Sequence, residues 1–207
     1  MIPEGRIRAY AERSWSQAPR FPLALPPVAG TTVLDLAGGP GVYTRALLEA
    51  GAGRVVWHDA SETLRQIAIS KLTAFGSRVE FRIGDMAELS VYAPGTFDGV
   101  FFRDAIHHAL DEGAVLAAIA RVLKPGGWLY LYFSTVHRLR AEPKRWSLLA
   151  QLPVAMGGWV LGWKLHTTLF TSRRVVRRRL RACGLSIGEE RRAGNSHALL
   201  LAWKHPG

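Results

Sequence analysis

The sequence has one cysteine, no uninterrupted apolar run of membrane-spanning length, and few acidic residues in its last third. Because Cys183 is alone, the chain cannot form an intramolecular disulfide or a cysteine-rich metal site. Its longest apolar run, residues 148–163, is broken by Gln, Pro and Gly and is shorter than the roughly 20 residues that cross a bilayer. Charged residues stand near the N-terminus, where a signal peptide needs an apolar stretch. We therefore expect a cytoplasmic protein.

Charge is distributed unevenly along the chain. In total there are 27 Lys and Arg against 16 Asp and Glu, which gives a net charge of +11. Residues 1–137 contain 13 of each sign, so residues 138–207 hold the remaining 14 basic and three acidic residues. A neutral body therefore carries a cationic end. The length of 207 residues and the 48% of apolar residues suit one globular domain over 1–207.

Strand and helix patterns alternate along the first two-thirds of the chain. Short apolar runs that end at Asp or Gly predict strands, and amphipathic segments with Ser61 and Asp111 as N-caps predict helices between them. The predicted strands are 31–36, 54–58, 78–83, 97–102, 128–133, 185–191 and 197–203. The alternation predicts a doubly wound α/β fold with a mostly parallel seven-stranded sheet. Residues 1–30 are predicted to form an N-terminal helical cap.

The alternation breaks after the fifth strand, where residues 136–170 form a connection far longer than this architecture needs. Long insertions of this kind are commonly functional. A helix capped by Thr171 or Ser172 is predicted to follow. Its predicted buried stripe is Val176, Leu180 and Cys183. Its opposite side is predicted to carry Arg173, Arg174, Arg177, Arg178 and Arg181.

Acidic residues stand at the ends of the first three strands, and a glycine-rich turn follows the first, in the stretch DLAGGPG at 35–41. Ligands of an open parallel sheet bind at this edge, where glycine lets the backbone approach them closely. Asp35 can face an ammonium group, whereas a phosphate-binding turn gains nothing from an anion there. Asp59 can accept hydrogen bonds from ribose hydroxyls, and Asp85 from an exocyclic amine, with Met86 against an aromatic ring. Ammonium, ribose and adenine are the parts of S-adenosylmethionine.

These motifs resemble those of the class I S-adenosylmethionine-dependent methyltransferases, over residues 30–135 and 171–203. The first motif, the ribose-binding acid, the adenine-binding stretch, the fourth strand and the turn at 123–127 all occur in the family's order, with Ala37 in place of the usual first glycine. The resemblance implies a Rossmann-like methyltransferase fold and S-adenosylmethionine as cofactor. The cofactor-binding residues that we predict are Asp35, Ala37, Gly38, Gly39, Gly41, Asp59, Ala60, Asp85, Met86 and Arg103.

Methyl transfer is an in-line displacement that needs alignment, and a base when the acceptor is a hydroxyl group. His107 and His108 follow the fourth strand and are the predicted catalytic residues. As neighbours on a helix they would lie about 100° apart, so we expect only one to face the cleft, and either can instead be structural or solvated. His137 is an alternative base, and Tyr10 either covers the methyl group or simply packs. We predict no metal, because Asp104 has no further oxygen ligands around it in the sequence pattern.

The insertion is rich in apolar residues, Trp159 and Trp163 among them, and is predicted to be a lid on the active-site mouth. Aromatic residues beside the basic residues of 138–181 also suit docking on an anionic membrane surface. The order of segments from 133 to 184 resembles the ubiquinone-pathway O-methyltransferases, which carry a membrane-binding insertion at a similar place. This chain departs from them at 103–108, where it has Arg-Asp-Ala-Ile-His-His instead of a Glu-x-Leu-Glu-His stretch.

The sequence therefore predicts an S-adenosylmethionine-dependent methyltransferase for a small or amphipathic acceptor, with O-methylation favoured. Candidate acceptors are a prenylated phenol, a quinone precursor or a lipid headgroup. An RNA methyltransferase that uses the basic last third for phosphate contacts is one alternative. The stretch of Asn or Asp, Pro-Pro and an aromatic residue that amino-group methylation often uses after the fourth strand is absent. This absence argues against amino-group chemistry on a base and leaves RNA ribose and ring-carbon methylation open. A binder of S-adenosylmethionine without catalytic activity is the other alternative.

Overall fold

Seven strands form one sheet in the computed structural model, which describes residues 3–135, 171–193 and 197–206. The strands are β1 Thr32–Leu36, β2 Arg54–Asp59, β3 Val79–Ile83, β4 Phe97–Arg103, β5 Leu123–Ser134, β6 Leu185–Ala193 and β7 His197–Lys204. Their order is β3-β2-β1-β4-β5-β7-β6, with β1 to β5 parallel and β7 antiparallel to both of its neighbours. The predicted doubly wound, mostly parallel fold is confirmed.

The helices of the described residues connect these strands. They are α1 Glu4–Trp15, α2 Val42–Glu49, α3 Glu62–Leu72, α4 Glu112–Val122 and α5 Arg173–Ala182, with short 3₁₀ turns at Thr73–Arg78, Leu89–Val91 and Ile106–His108. The expectation that His107 and His108 lie in an α-helix is wrong, because both belong to one 3₁₀ turn. In that geometry successive side chains are about 120° apart. Within the described part of the chain, no helix combines the length and the apolar character that crossing a bilayer requires.

The central strands are buried on both faces because helices cover both sides of the sheet. Val33 of β1 packs with α2 and with the segment that follows α1, whereas Leu34 points to the other face, toward α4 and α5. Both side chains are fully buried. This double burial holds the carboxyl ends of β1 to β4 side by side at one edge.

Two of the three predicted helix N-caps are confirmed. Ser61 accepts a hydrogen bond from the amide three residues on (3.3 Å), and Asp111 accepts from the amides two and three residues on (2.7 and 3.2 Å). For α5 the predicted position is confirmed at Ser172, but the side-chain hydrogen bond of a cap is not formed. Ser172 occupies the N-cap without a side-chain hydrogen bond, and the hydroxyl of Thr171 donates instead to Glu112 (2.7 Å). Thr171 is buried, so its hydroxyl pairs with the nearest buried carboxylate.

The buried stripe of α5 is shorter than predicted. Val176 and Leu180 are fully buried, whereas Cys183 is half-buried at the C-cap. In the predicted N-terminal cap, α1 is helical, but the chain between α1 and β1 contains no further helix, only a bridge between Ala29 and Ala52. The insertion at 136–170 lies outside the described residues.

Candidate active site

Two adjoining cavities, of about 380 and 230 Å³, open at the carboxyl ends of β1 to β4. The predicted site residues that line the larger cavity are Tyr10, Ala37, Gly39, Asp59, Ala60, Asp85, Met86, Arg103 and His108. Those that line the smaller cavity are Tyr10, Asp35, Ala37, Gly38, Gly39 and Arg103. Two predicted residues, Gly41 and His107, line neither cavity. The predicted residues His137, Trp159 and Trp163 lie outside the described residues.

The glycine-rich turn between β1 and α2 brings bare backbone to both cavities. Ala37, Gly39 and Gly41 have left-handed φ angles of 56°, 54° and 87°. Glycine adopts that region freely, so Ala37 is the one strained residue of the turn. At Gly38 the constraint is space, because a Cβ there would lie 2.3 Å from the Trp57 ring. The turn therefore presents main chain rather than side chains to a ligand.

Asp59 ties the glycine-rich turn to the start of α3. Its Oδ2 accepts a hydrogen bond from the amide of Gly39 (2.9 Å), and its Oδ1 accepts one from the amide of Ser61 (2.9 Å). Burial raises the pKa of Asp59, although both hydrogen bonds act to lower it. Each carboxylate oxygen has capacity for a further bond. Asp59 is thus a fixed pair of acceptors on the wall of the larger cavity.

Asp35 sits deeper, beneath the smaller cavity. It is 2% exposed, and its Oδ2 accepts a hydrogen bond from the Thr44 hydroxyl (2.5 Å). Burial raises the pKa of Asp35 to about 7, even though the hydrogen bond from Thr44 lowers it. A cation in the smaller cavity would favour the ionised carboxylate.

The turn after β3 forms the far wall of the larger cavity. Asp85 accepts a hydrogen bond from the amide of Ala87 (2.9 Å) through Oδ1, and Met86 packs against the core beside the cavity. Sequence reasoning missed His58, which lines the same cavity and contacts this turn. Its position immediately before Asp59 was the only feature of the sequence that could have identified it. Because β2 is buried on both faces, its pattern does not show where a polar side chain points.

Cationic and acidic groups meet where β4 ends. The guanidinium of Arg103 lies over the rings of Tyr132 and Tyr43, 4.0 and 4.8 Å from their centroids. Asp104, which lines both cavities, has a left-handed φ of 52°, and its carboxylate lies 3.6 Å from the ring of His197. Sequence reasoning treated Asp104 only as an isolated metal ligand. Among the described residues, no group of three or more His, Cys, Asp or Glu could hold a metal ion.

The 3₁₀ turn places the two candidate bases, His107 and His108, in different surroundings. His108 is exposed and lines the larger cavity, whereas His107 is half-buried and points elsewhere. Their ring centroids are 4.1 Å apart. Tyr10 reaches the rim of both cavities from α1 and is 49% exposed. Of the two candidate bases, His108 is therefore the one that a ligand in the larger cavity can touch.

A protein-family model described as a methyltransferase domain matches residues 33–127, from β1 to the turn within β5. This match covers just under half of the chain and shows similarity to a methyltransferase domain. The matched residues include the glycine-rich turn, Asp59, Asp85 and the end of β4, each of which lines one or both cavities.

Curated relatives of the methyltransferase domain include two named ubiquinone biosynthesis O-methyltransferase. That of Thiobacillus denitrificans is 36% identical over 112 residues, which are 54% of this chain and 47% of that protein. That of Xanthomonas euvesicatoria is 33% identical over an alignment of 149 residues that covers 66% of this chain and 61% of that protein. The chain thus spans about half to three fifths of the length of these relatives.

A solved structure supports the fold assignment. The crystal structure of an S-adenosylmethionine dependent methyltransferase from Mesorhizobium loti has a TM-score of 0.69 and 18% sequence identity, and the comparison covers 87% of this chain and 94% of that one. At that identity the likeness concerns the fold.

The cavity walls fit S-adenosylmethionine, the cofactor that the sequence motifs imply. A Cβ at Gly38 would collide with a buried ring, so the turn keeps the cradle of main chain that a large ligand needs. Asp59 would hold the ribose, Asp85 and Met86 the adenine, and Asp35 the ammonium group. Arg103 is the cation available for a carboxylate, since it lines both cavities.

Proposed function

We propose that this chain transfers the methyl group of S-adenosylmethionine to a hydroxyl oxygen of a small or amphipathic acceptor, such as a prenylated phenol or a quinone precursor. The observation that carries the proposal is that His108 lines the same cavity as Asp59 and Asp85. A proton acceptor thereby shares one cavity with the predicted cofactor ligands. The name of the curated relatives, ubiquinone biosynthesis O-methyltransferase, supports an oxygen nucleophile and a quinone-type acceptor.

Each residue has a defined role in this proposal. When bound, S-adenosylmethionine supplies a methyl group made electrophilic by a sulfonium. His108 takes the proton of the acceptor hydroxyl as its oxygen becomes the nucleophile, and general base catalysis of this kind is worth about 10²- to 10⁴-fold in rate. Asp104, on the wall of both cavities, adds negative charge beside the acceptor. Tyr10 covers the rim from α1 and limits access of water.

The proposal is tested with radiolabelled S-adenosylmethionine and two acceptors that differ in one feature, a catechol and the same catechol bearing a prenyl chain. We expect label on both, with a higher kcat/KM for the prenylated acceptor. Incubation with cell extract, followed by separation of lipid, RNA and small-molecule fractions, is run in parallel. Label in RNA would overturn the proposal in favour of an RNA methyltransferase. Binding of S-adenosylhomocysteine without turnover in any fraction would identify a non-catalytic binder.

We also propose that the protein works at the cytoplasmic surface of an anionic membrane. The support lies in the arginines of α5. Two of them, Arg173 and Arg177, pair with Glu190 of β6 (3.4 and 2.6 Å). The remaining arginines predicted on that side form an exposed ridge at i, i+4 and i+7, namely Arg174, Arg178 and Arg181. Basic residues near an anionic leaflet each contribute about 1 kcal/mol.

Sedimentation with vesicles tests this second proposal. Phosphatidylcholine vesicles with and without phosphatidylserine are compared at low salt and at 0.5 M salt. We expect binding only to the anionic vesicles at low salt, and its loss when Arg174, Arg178 and Arg181 are all changed to Gln. The matched control changes three ion-paired arginines on other elements, Arg8, Arg65 and Arg82, to Gln. Equal loss in both triple variants would show that net charge, rather than the ridge, drives binding.

A further inference from the structure

His58, near the end of β2, lies where the two loops of the larger cavity meet. Its backbone carbonyl accepts hydrogen bonds from the amides of Ala37 (2.7 Å) and Gly38 (3.3 Å), in the glycine-rich turn. Its side chain contacts the turn after β3. One residue therefore joins the loop from β1 to the loop from β3.

The imidazole of His58 is held by both of its nitrogens. Nε2 lies 3.2 Å from the backbone carbonyl of Asp85, and Nδ1 lies 2.9 Å from the hydroxyl of Tyr92. A carbonyl only accepts, so Nε2 carries the proton and Nδ1 accepts from the phenol. His58 is 1% exposed as a residue, and burial lowers its pKa, which favours this neutral form. Burial also raises the pKa of Tyr92 to about 12, so its hydroxyl stays a donor.

Gly84 complements the ring sterically. A Cβ at Gly84 would lie 2.8 Å from both Cε1 and Nε2 of His58. The carbonyl of Asp85, which the ring engages, also accepts from the amide of Glu88 (2.9 Å) and so closes the turn. The imidazole thus fills the space beside Gly84 and fixes where Asp85 and Met86 stand on the cavity wall.

We propose that His58 is a positioning residue that holds the Gly84–Met86 turn in place and thereby sets the selectivity of the cofactor site for the adenine base. The inference deepens the proposed function and rests on its placement of adenine against Asp85 and Met86. His58 acts through Asp85, because its Nε2 is engaged by the main chain of that residue.

Calorimetry with two ligands tests the proposal on the full chain. One ligand is S-adenosylhomocysteine, and the other is S-inosylhomocysteine, in which an oxygen replaces the exocyclic amino group of the purine. We expect His58→Leu to lower the affinity for the adenine ligand about tenfold and to change that for the inosine ligand less, so that the preference falls. His58→Gln, whose amide nitrogen can occupy the place of Nε2, should restore most of the preference. Tyr92→Phe keeps the bond to Asp85 and should change the preference less than His58→Leu.

A double-mutant cycle checks the steric half of the proposal. We expect Gly84→Ala to weaken binding of S-adenosylhomocysteine in the parent chain and to weaken it little in a His58→Ala background, where the colliding ring is gone. Equal weakening in both backgrounds would overturn it, and so would an unchanged adenine preference in folded His58→Leu. If the parent chain binds neither ligand, the proposed cofactor site itself fails, which is a separate result.

Discussion

The hydroxyl of Thr44, in the first turn of α2, donates a 2.5 Å hydrogen bond to the carboxylate of Asp35 near the end of β1. Both residues are buried, with exposures of 0% and 2%. One hydrogen bond does not replace the hydration that an ionised carboxylate loses, so the pKa of Asp35 rises to about 7. The cofactor-free protein therefore carries an electrostatic cost at the place where a cation is predicted to bind.

We predict that Asp35→Asn stabilises the cofactor-free protein, and does so more at pH 8 than at pH 5. The folded carboxyl keeps its proton up to about pH 7, whereas the ordinary pKa of an aspartate in an unfolded chain is 3.8. The contribution of the protonated Asp35 to the stability of the folded parent is thus present at acid pH and is lost as the pH rises through 7. Between pH 5 and pH 8 the difference in free energy of unfolding between variant and parent should grow by on the order of 2 kcal/mol.

Urea denaturation at the two pH values measures this difference, and the comparison with the parent cancels other titrating groups. Glu49→Gln, at the exposed end of α2, is the control for charge removal. A stability difference that does not change with pH would contradict the prediction. In the same variant we expect weaker binding of S-adenosylhomocysteine, because the neutral amide no longer attracts an ammonium group.

Removal of the Asp59 carboxylate should weaken cofactor binding. Asp59→Ala loses the acceptors for the amides of Gly39 and Ser61 as well as those predicted for ribose. We expect a loss of roughly 1 to 3 kcal/mol in the binding of S-adenosylhomocysteine, measured by calorimetry. Glu80→Gln is the matched control, since Glu80 on β3 pairs with Arg54 and Arg82 and does not line either cavity. Unchanged affinity in Asp59→Ala would contradict the assignment of this acid.

The sequence was sufficient to predict that Asp35, Asp59 and Asp85 lie at one edge of the sheet. Parallel strands end at the same edge of a sheet, so acids that follow apolar runs must meet there, and Asp35, Asp59 and Asp85 line the two cavities. The fold class follows from the same alternation of strands and helices.

The contacts of His58 could not be predicted from the pattern of strands and helices. A strand buried on both faces gives no alternation from which to infer where a polar side chain points. Its partner Tyr92 stands 34 residues further along, in a segment without regular periodicity. The difference between His107 and His108 also depended on local geometry, because a 3₁₀ turn and an α-helix place neighbouring side chains differently.

We predict that the two histidines contribute unequally to catalysis. His108→Ala should lower kcat by about 10²- to 10⁴-fold, because it removes the base that lines the cavity. His107→Ala, one residue away, is the matched control and should lower it far less. Steady-state kinetics with saturating cofactor and acceptor measure kcat in the parent and in both variants. A larger loss in His107→Ala would reverse the assignment.

A buried charge pair links the start of α4 to α5 and should be required for stability rather than for binding. Glu112, whose side chain is 6% exposed, accepts from Arg179 (2.6 Å) and from the hydroxyl of Thr171 (2.7 Å). Arg179 was not among the arginines predicted on the exposed side of α5, because a partner 67 residues away leaves no local pattern. Since Arg179 keeps 36% of its side chain exposed, loss of Glu112 leaves a cation that water partly solvates.

Glu112→Ala should therefore lower the free energy of unfolding by about 2 kcal/mol, less than the 3 to 5 kcal/mol typical of a fully buried broken pair. Arg179→Ala should lower the free energy of unfolding more in the parent chain than in the Glu112→Ala variant. In that variant the second change no longer breaks a pair. Urea denaturation of the four chains gives the coupling between the two side chains. The exposed pair of Glu62 and Arg65 on α3 is the control and should show little coupling. Equal coupling in the two pairs would mean that burial adds nothing to the contact between α4 and α5.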